Sequence, residues 1–183
     1  MGGVRQQFST AAEVRLAQAS IRFFEDLGTP LFDQVGYLFL ATTDAGLAEL
    51  EQRRELQEEL GVPVERVDPS FVPGLRHDDV AGAVFCSTDG VADPPAVTRE
   101  LVRRGLKLGI EVRENTRAES LEGDVLVIAC GPWSAEVGAA RGVELPVRPL
   151  CRQLLATTEL ALPESLPMVL EAESGFHFRR RGE

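Results

Sequence analysis

The chain has 183 residues, 44% hydrophobic and 26% charged, with a formal net charge of −10 and a pI near 4.8. That length suits one ordinary domain or two very small ones, and the composition can build a core. The acidic balance argues against a nucleic-acid backbone or an anionic lipid surface as partner, and no apolar run approaches the ~18 residues of a membrane span. Cys86, Cys130 and Cys151 are odd in number and widely spaced, with no CxxC pair, so neither a metal site nor a disulfide framework is suggested. Reduced thiols in a cytoplasmic protein are the expectation, and no signal-peptide pattern is present.

Thr10-Ala-Ala-Glu13 reads as a capping box and predicts a helix with Val14, Ala17, Ile21 and Phe24 at helical spacing, stopped by Gly28. "QVGYLFLAT", 34–42, predicts a strand. Asp44 is expected to cap a second helix running to about Leu60. One face of it is mixed (Leu47, Leu50, Arg54, Gln57), and a solvated face carries Glu51, Glu55, Glu58 and Glu59. Gly61, Pro63, Asp68-Pro69 and Pro73-Gly74 punctuate a loop-rich stretch that includes His77 on the surface. "DVAGAVFCSTDG", 79–90, reads as a strand then a turn. A helix opens at Pro94 or Pro95 and ends at Gly109. "IEVRENT", 110–116, predicts a strand, and "DVLVIAC", 124–130, one buried on both faces. A short helix from Ser134, a strand over "PVRPLCRQLLATT", 146–158, and a hairpin about Glu173-Ser-Gly175 complete the order. The fold class is α+β, mixed α/β, with antiparallel pieces at the end.

Two stretches hold candidate chemistry. Gly131 lets backbone pass close to something flat, and Pro132 with Ser134 prepares a helix N-terminus, whose free N–H groups attract anions. A purely structural turn is the alternative. "MGGVRQQF" sets two glycines beside Arg5, whose planar fork suits a carboxylate or an electron-rich ring. By composition alone it also reads as a disordered leader.

"GGVRQQFST", Ala12–Gln18, "QVGYLFLATT", "LGVPVERVDP", "FCSTDGVADPPAVT", "VIACGPWSAEVG", "LPVRPLCRQLLAT" and "GFHFRR" stand in an order that resembles the D-amino-acid oxidase superfamily of FAD-dependent oxidoreductases. The nearest branch in pattern is the sarcosine oxidase β-subunit, dimethylglycine dehydrogenase and proline dehydrogenase β-subunit group. The resemblance implies a substrate domain with a large mixed β-sheet flanked by helices, plus partial Rossmann-like elements of the FAD domain. It places 1–28 and 93–142 in the FAD part, and 29–92 and 143–183 in the substrate part. It implies FAD as cofactor and oxidation of a C–N bond in a small amine or amino acid, sarcosine, dimethylglycine or proline in kind. Gly2, Gly3 and Arg5 match the segment beside the flavin ring, and Ala129, Gly131 and Trp133 match a motif whose backbone lies near FAD. Cys130 and Pro132 depart from that motif's commonest residues. Arg5 and His177 are the catalytic candidates, Arg5 for flavin or a substrate carboxylate and His177 for the substrate pocket. Arg152 and Arg180 are further carboxylate candidates. Asp89-Gly90 and Asp93-Pro94 read as structural, an aspartate capping and a proline opening a helix.

The sequence departs from that pattern in three places. No GxGxxG follows a strand, although that loop grips the ADP half of FAD. The chain stops at "RRRGE", before the portion that completes the flavin site. Between Thr116 and Asp124 only "RAESLEG" stands where a longer meander is usual. The expectation is therefore an internal segment of a longer enzyme that holds FAD weakly or not at all by itself. A non-catalytic interaction subunit, paired with itself or with another chain through exposed strand edges, is the second class. A flavin-free binder of small amino acids is the third.

Overall fold

Thr10 opens the first helix, α1 (Ala11–Leu27): its hydroxyl accepts from the Glu13 N–H and donates to the Glu13 carboxylate at 2.7 Å. The box thus closes through the hydroxyl. Gly28 ends the helix at φ 62°, its N–H on the Phe24 carbonyl. Val14, Ala17 and Ile21 are the buried stripe, as their spacing predicts. The structure, a computed structural model, describes residues 2–117 and 123–181.

Strands β1 (Gly3–Val4), β2 (Phe32–Asp33) and β6 (Gly90–Ala92) form a small antiparallel sheet in the order β1-β6-β2. The second sheet has the order β4-β5-β3-β7-β8, from Val64–Val67, Gly82–Cys86, Tyr37–Ala41, Met168–Glu171 and His177–Phe178. Strand β3 runs parallel to β7, and every other neighbouring pair is antiparallel, so the sheet is mixed. The expected strand over 34–42 forms over Tyr37–Ala41, and β7 and β8 make the expected hairpin.

Helix α2 (Asp44–Glu59) begins one residue earlier than a cap at Asp44 requires. Thr43 is the cap, its hydroxyl accepting from the Gly46 N–H at 3.0 Å. The acidic face is only partly solvated: Glu51 is half-buried and pairs with Arg54 at 2.7 Å and Arg66 at 3.4 Å. Helix α3 (Pro94–Lys107) starts where the prolines place it, with the Asp93 carboxylate accepting from the Ala96 N–H at 3.0 Å.

Three apolar clusters result. Tyr37, Phe39, Ala41, Val84, Cys86, Val64 and Met168 join Val14 of α1 and Leu50 of α2 on one face of the large sheet. Leu38, Ala83, Val169, Val72 and Leu166 seal the other face. Ile21, Phe32, Ala92 and Val97 tie α1 and α3 to the small sheet.

The chain packs as two units, Met1–Arg103 with Ala161–Glu183, and Arg104–Leu160. Both sheets lie in the first. The second holds the last turn of α3, a 3₁₀ turn at Gly131–Trp133 and the seven-residue α4 (Ser134–Ala140). The predicted strands over 110–116, 124–130 and 146–158 do not form. Val125 and Val127 are 83% and 80% exposed, and Leu155 is 93% exposed. A strand needs a neighbour for its N–H and C=O groups, and among the described residues none runs beside these segments. Apolar character alone therefore leaves them irregular.

Truncating Leu38, which is 0% exposed, separates the two kinds of apolar residue. Leu38→Ala is expected to cost about 2–5 kcal/mol in urea unfolding, whereas Leu155→Ala should stay within about 0.5 kcal/mol of the parent.

Candidate functional site

Strand β1 pairs Gly3 with Val91, and the Ala92 N–H donates to the Gly2 carbonyl at 2.7 Å. Gly2 sits at φ +84°, and a Cβ on it would lie 2.2 Å from the Ala92 carbonyl oxygen. A Cβ on Gly3 would stand 3.1 Å from the Tyr37 ring. Gly2 is thus already required by contacts inside the protein, and Gly3 sits in tight contact with the Tyr37 ring. This close approach delivers Arg5 onto the Tyr37 face of the large sheet. The guanidinium carbon lies 5.0, 5.7 and 5.3 Å from the ring centroids of Phe8, Tyr37 and Phe39. Each ring attracts the cation by roughly 0.5–1 kcal/mol where solvent is near. Arg5 is half-buried, and no carboxylate of the described residues pairs with it. Its fork remains available for an anion.

His177 reaches the same face from the other end of the chain. It pairs across β7 with Leu170, and Leu170 pairs across β3 with Phe39. Directly paired residues share a face, so Phe39, Leu170 and His177 form one row, with Phe39 and His177 about 10 Å apart at two strand spacings. The His177 Nδ1 is 2.8 Å from the Gly175 carbonyl oxygen. A carbonyl only accepts, so Nδ1 donates, and the neutral ring keeps its lone pair on Nε2. The side chain is exposed. The hairpin that carries it is tied to α2: one Glu173 oxygen accepts from the N–H groups of Thr42 and Thr43 and from the Thr43 hydroxyl, each at 3.0 Å. Arg180 pairs with Glu164 at 3.8 Å.

Gly131, Ala129, Trp133 and the exposed Arg152 belong to the other unit. Gly131 takes φ +55°, and a Cβ on it would meet nothing within 4 Å. Trp133 is exposed beside it. At seven residues α4 supplies too little aligned backbone to act as an anion site.

Sequence reasoning assigned Asp89 to a turn and missed its larger part. Its carboxylate is fully buried. It accepts from the Gln6 N–H at 2.9 Å, from Gln6 Nε2 at 3.2 Å and from Gln7 Nε2 at 3.2 Å. Burial pushes its pKa up, against the pull of these donors. The neighbouring Cys86 thiol is pushed up to about 12, first by burial and then by the Asp89 charge, which makes it an inert packing group. Two glutamines after an arginine were the only available signal, and the partner lies 82 and 83 residues away. His77 is an exposed loop residue, as expected.

A mixed sheet flanked by helices, with an arginine and a histidine from opposite chain ends on one face, makes this an α+β architecture. The FAD dependent oxidoreductase family model matches residues 1–183, and the chain belongs to that family. It is 23% identical to mouse sarcosine dehydrogenase over 82% of this chain and 19% of the relative. It is 25% identical to the 4-methylaminobutanoate oxidase of Paenarthrobacter nicotinovorans over 93% of this chain and 24% of that protein. The chain thus spans a quarter or less of these two relatives. In fold it is similar to the L-proline dehydrogenase of P. horikoshii, with TM-score 0.72 and 23% identity over 96% of this chain and 54% of that one. Glycine oxidase from Geobacillus kaustophilus gives TM-score 0.68 and 23% identity over 81% and 48%.

The Glu173 anchor yields a pH prediction. Burial pushes this carboxyl up, but its own N–H and the hydrogen bonds from Thr42 and Thr43 outweigh that and hold it below the usual glutamate range. A depressed folded pKa adds stability above the unfolded value of about 4.3, lost as pH falls through the lower folded value. Glu173→Gln should therefore melt below the parent at neutral pH and converge with it in acid. A melting gap that stays constant down the pH series would remove Glu173 as the anchor.

Proposed function

We propose that this chain carries the substrate-facing part of an FAD-dependent enzyme that oxidises a C–N bond in a small amino acid such as sarcosine, dimethylglycine or proline. The observation that carries the reading is Arg5 on its three rings, sharing a sheet face with His177. A planar guanidinium without a carboxylate of its own among the described residues matches the carboxylate of a small amino acid. His177 Nε2 is free to take the ammonium proton, because the amine must be neutral before the adjacent carbon gives up hydride. Bound FAD supplies the hydride acceptor. Within the first unit, the Gly2-Gly3 segment beside Arg5 is the place we assign to the flavin; Gly131, with Ala129 and Trp133, is a separate candidate in the second unit taken by itself. In this reading 1–28 and 93–142 serve the cofactor, and 29–92 and 143–183 the substrate. Within the first unit, Ile21 and Val97 of the first set share a core with Phe32 and Ala92 of the second. The sequence holds no GxGxxG, and we assign the ADP half of FAD to no residue of this chain.

Calorimetric titration of the FAD-supplemented protein with L-proline, sarcosine and dimethylglycine tests the reading, with pyrrolidine as a control that lacks the carboxylate. Arg5→Met, which keeps the apolar stem, should weaken the amino acids about 10- to 100-fold, the worth of a charge-assisted hydrogen bond, and leave pyrrolidine unchanged. Equal amino-acid affinity in parent and variant would end the carboxylate assignment.

A second reading, self-association, is favoured by Val125, Val127, Leu154 and Leu155, apolar and exposed in the second unit. Segments of strand composition without a neighbour pair readily with a second copy. Light scattering should then give a dimer mass that falls to the monomer in Val125→Lys/Val127→Lys. A monomer at all concentrations would discard it.

A further inference from the structure

We propose that Asp89 is a positioning residue for Arg5, holding both the arginine's backbone and the ring platform beneath its guanidinium. The inference rests on the reading of Arg5 as the carboxylate-binding group. Strand β1 is two residues long and ends at Val4, so regular pairing stops just before Arg5. Directly after Arg5, Asp89 Oδ1 takes the Gln6 N–H at 2.9 Å and Gln6 Nε2 at 3.2 Å, while Thr88 Oγ1 takes Gln6 Nε2 at 2.8 Å. Asp89 Oδ2 takes Gln7 Nε2 at 3.2 Å. The same Gln7 nitrogen donates to the Tyr37 carbonyl at 3.0 Å. The ring of Tyr37 lies under the guanidinium, and its hydroxyl is 3.5 Å from Arg5 Nη1. One carboxylate therefore fixes the chain on the C-terminal side of Arg5 and, through Gln7, the residue that supports its side chain.

The network has one consistent polarity. Gln7 Nε2 spends its two protons on Asp89 and on Tyr37, both acceptors. Turning the amide over would set its oxygen against the Tyr37 carbonyl oxygen. Only an acceptor-only group at 89 takes Gln7 in that orientation and the Gln6 N–H together. Asparagine has the same shape but puts a donor on at least one side, so it must break a link. The hydrogen-bond partners of the buried carboxylate are neutral donors, with no cation among them. A buried charge compensated only by dipoles is costly to keep, and a clip serving stability alone is as well built from neutral groups.

The test is a double-mutant cycle of Asp89→Asn and Arg5→Met, with L-proline and pyrrolidine as probes on the FAD-supplemented protein. Asp89→Asn should weaken L-proline about tenfold, the effect of a small misplacement of a binding group. It should leave pyrrolidine unchanged and add nothing in the Arg5→Met background. The same loss in the Arg5→Met background, or an equal loss for pyrrolidine, would show a role in folding alone and overturn the proposal. Full L-proline affinity in Asp89→Asn would overturn it while leaving the Arg5 reading intact, whereas full affinity in Arg5→Met removes both. A ligand-free readout stands beside the cycle. The Arg5 Nε–Hε resonance, displaced by three ring currents in the parent, should move to the position of a solvent-exposed arginine in Asp89→Asn, and an unmoved resonance counts against the proposal. If Asp89→Asn does not fold, Gln7→Met removes the link to Tyr37 with little change of shape, and the same two readouts decide.

Discussion

Because side chains alternate along a strand, the register of β3 between β5 and β7 decides which residues meet Arg5 and which are sealed in the core. Tyr37 stands opposite Cys86 and Met168, and Phe39 opposite Val84 and Leu170. That alignment puts Tyr37 and Phe39 on the face that receives Arg5 and puts Leu38 on the other, against Val169 and Ala83. A slip by one residue would exchange the faces. It would move Leu38 out of the cluster that now encloses it and remove two of the three rings under the guanidinium. The burial of both faces is what makes the slip costly, so the same packing that stabilises the sheet also fixes the site.

The candidate site follows from this frame with little further machinery. Gly2 lets β1 lie against Ala92 closer than a side chain would permit, and Gly3 lets it lie tight against Tyr37. The chain then turns Arg5 inward over aromatic faces, where a cation gains attraction without losing its donors. His177 arrives on the same face because β8 pairs with β7 in a register that places it in line with Phe39. Glu173, at the turn of that hairpin, sits on the free N–H groups at the start of α2 and so ties the hairpin to the helix. Arginine and histidine thus stand on one body, held by two carboxylates that touch neither side chain.

The second unit shows where local sequence signals run out. "DVLVIAC" has the composition of a doubly buried strand, yet among the described residues it pairs with nothing, and its valines face solvent. Helices α1, α2 and α3 were legible because their caps and their hydrogen bonds are internal to a few residues. A strand is half of a structure whose other half lies elsewhere. The same limit hid Asp89, whose turn-forming dipeptide is visible locally while its partners, Gln6 and Gln7, lie at the far end of the chain.

The sequence alone determined the three long helices, the central strand, the closing hairpin and the mixed α and β character, and it offered Arg5 and His177 as candidates. Each of these is written in neighbours a few positions apart, or in motifs that stand in family order. Tertiary structure alone decided that Arg5 lies over Phe8, Tyr37 and Phe39, that His177 shares its face, and that Asp89 is buried beneath Gln6 and Gln7. It also decided that 124–130 has no partner strand among the described residues. The reason is the same in each case: strand pairing, face and burial are fixed by groups distant in sequence, and only the folded chain brings those groups together.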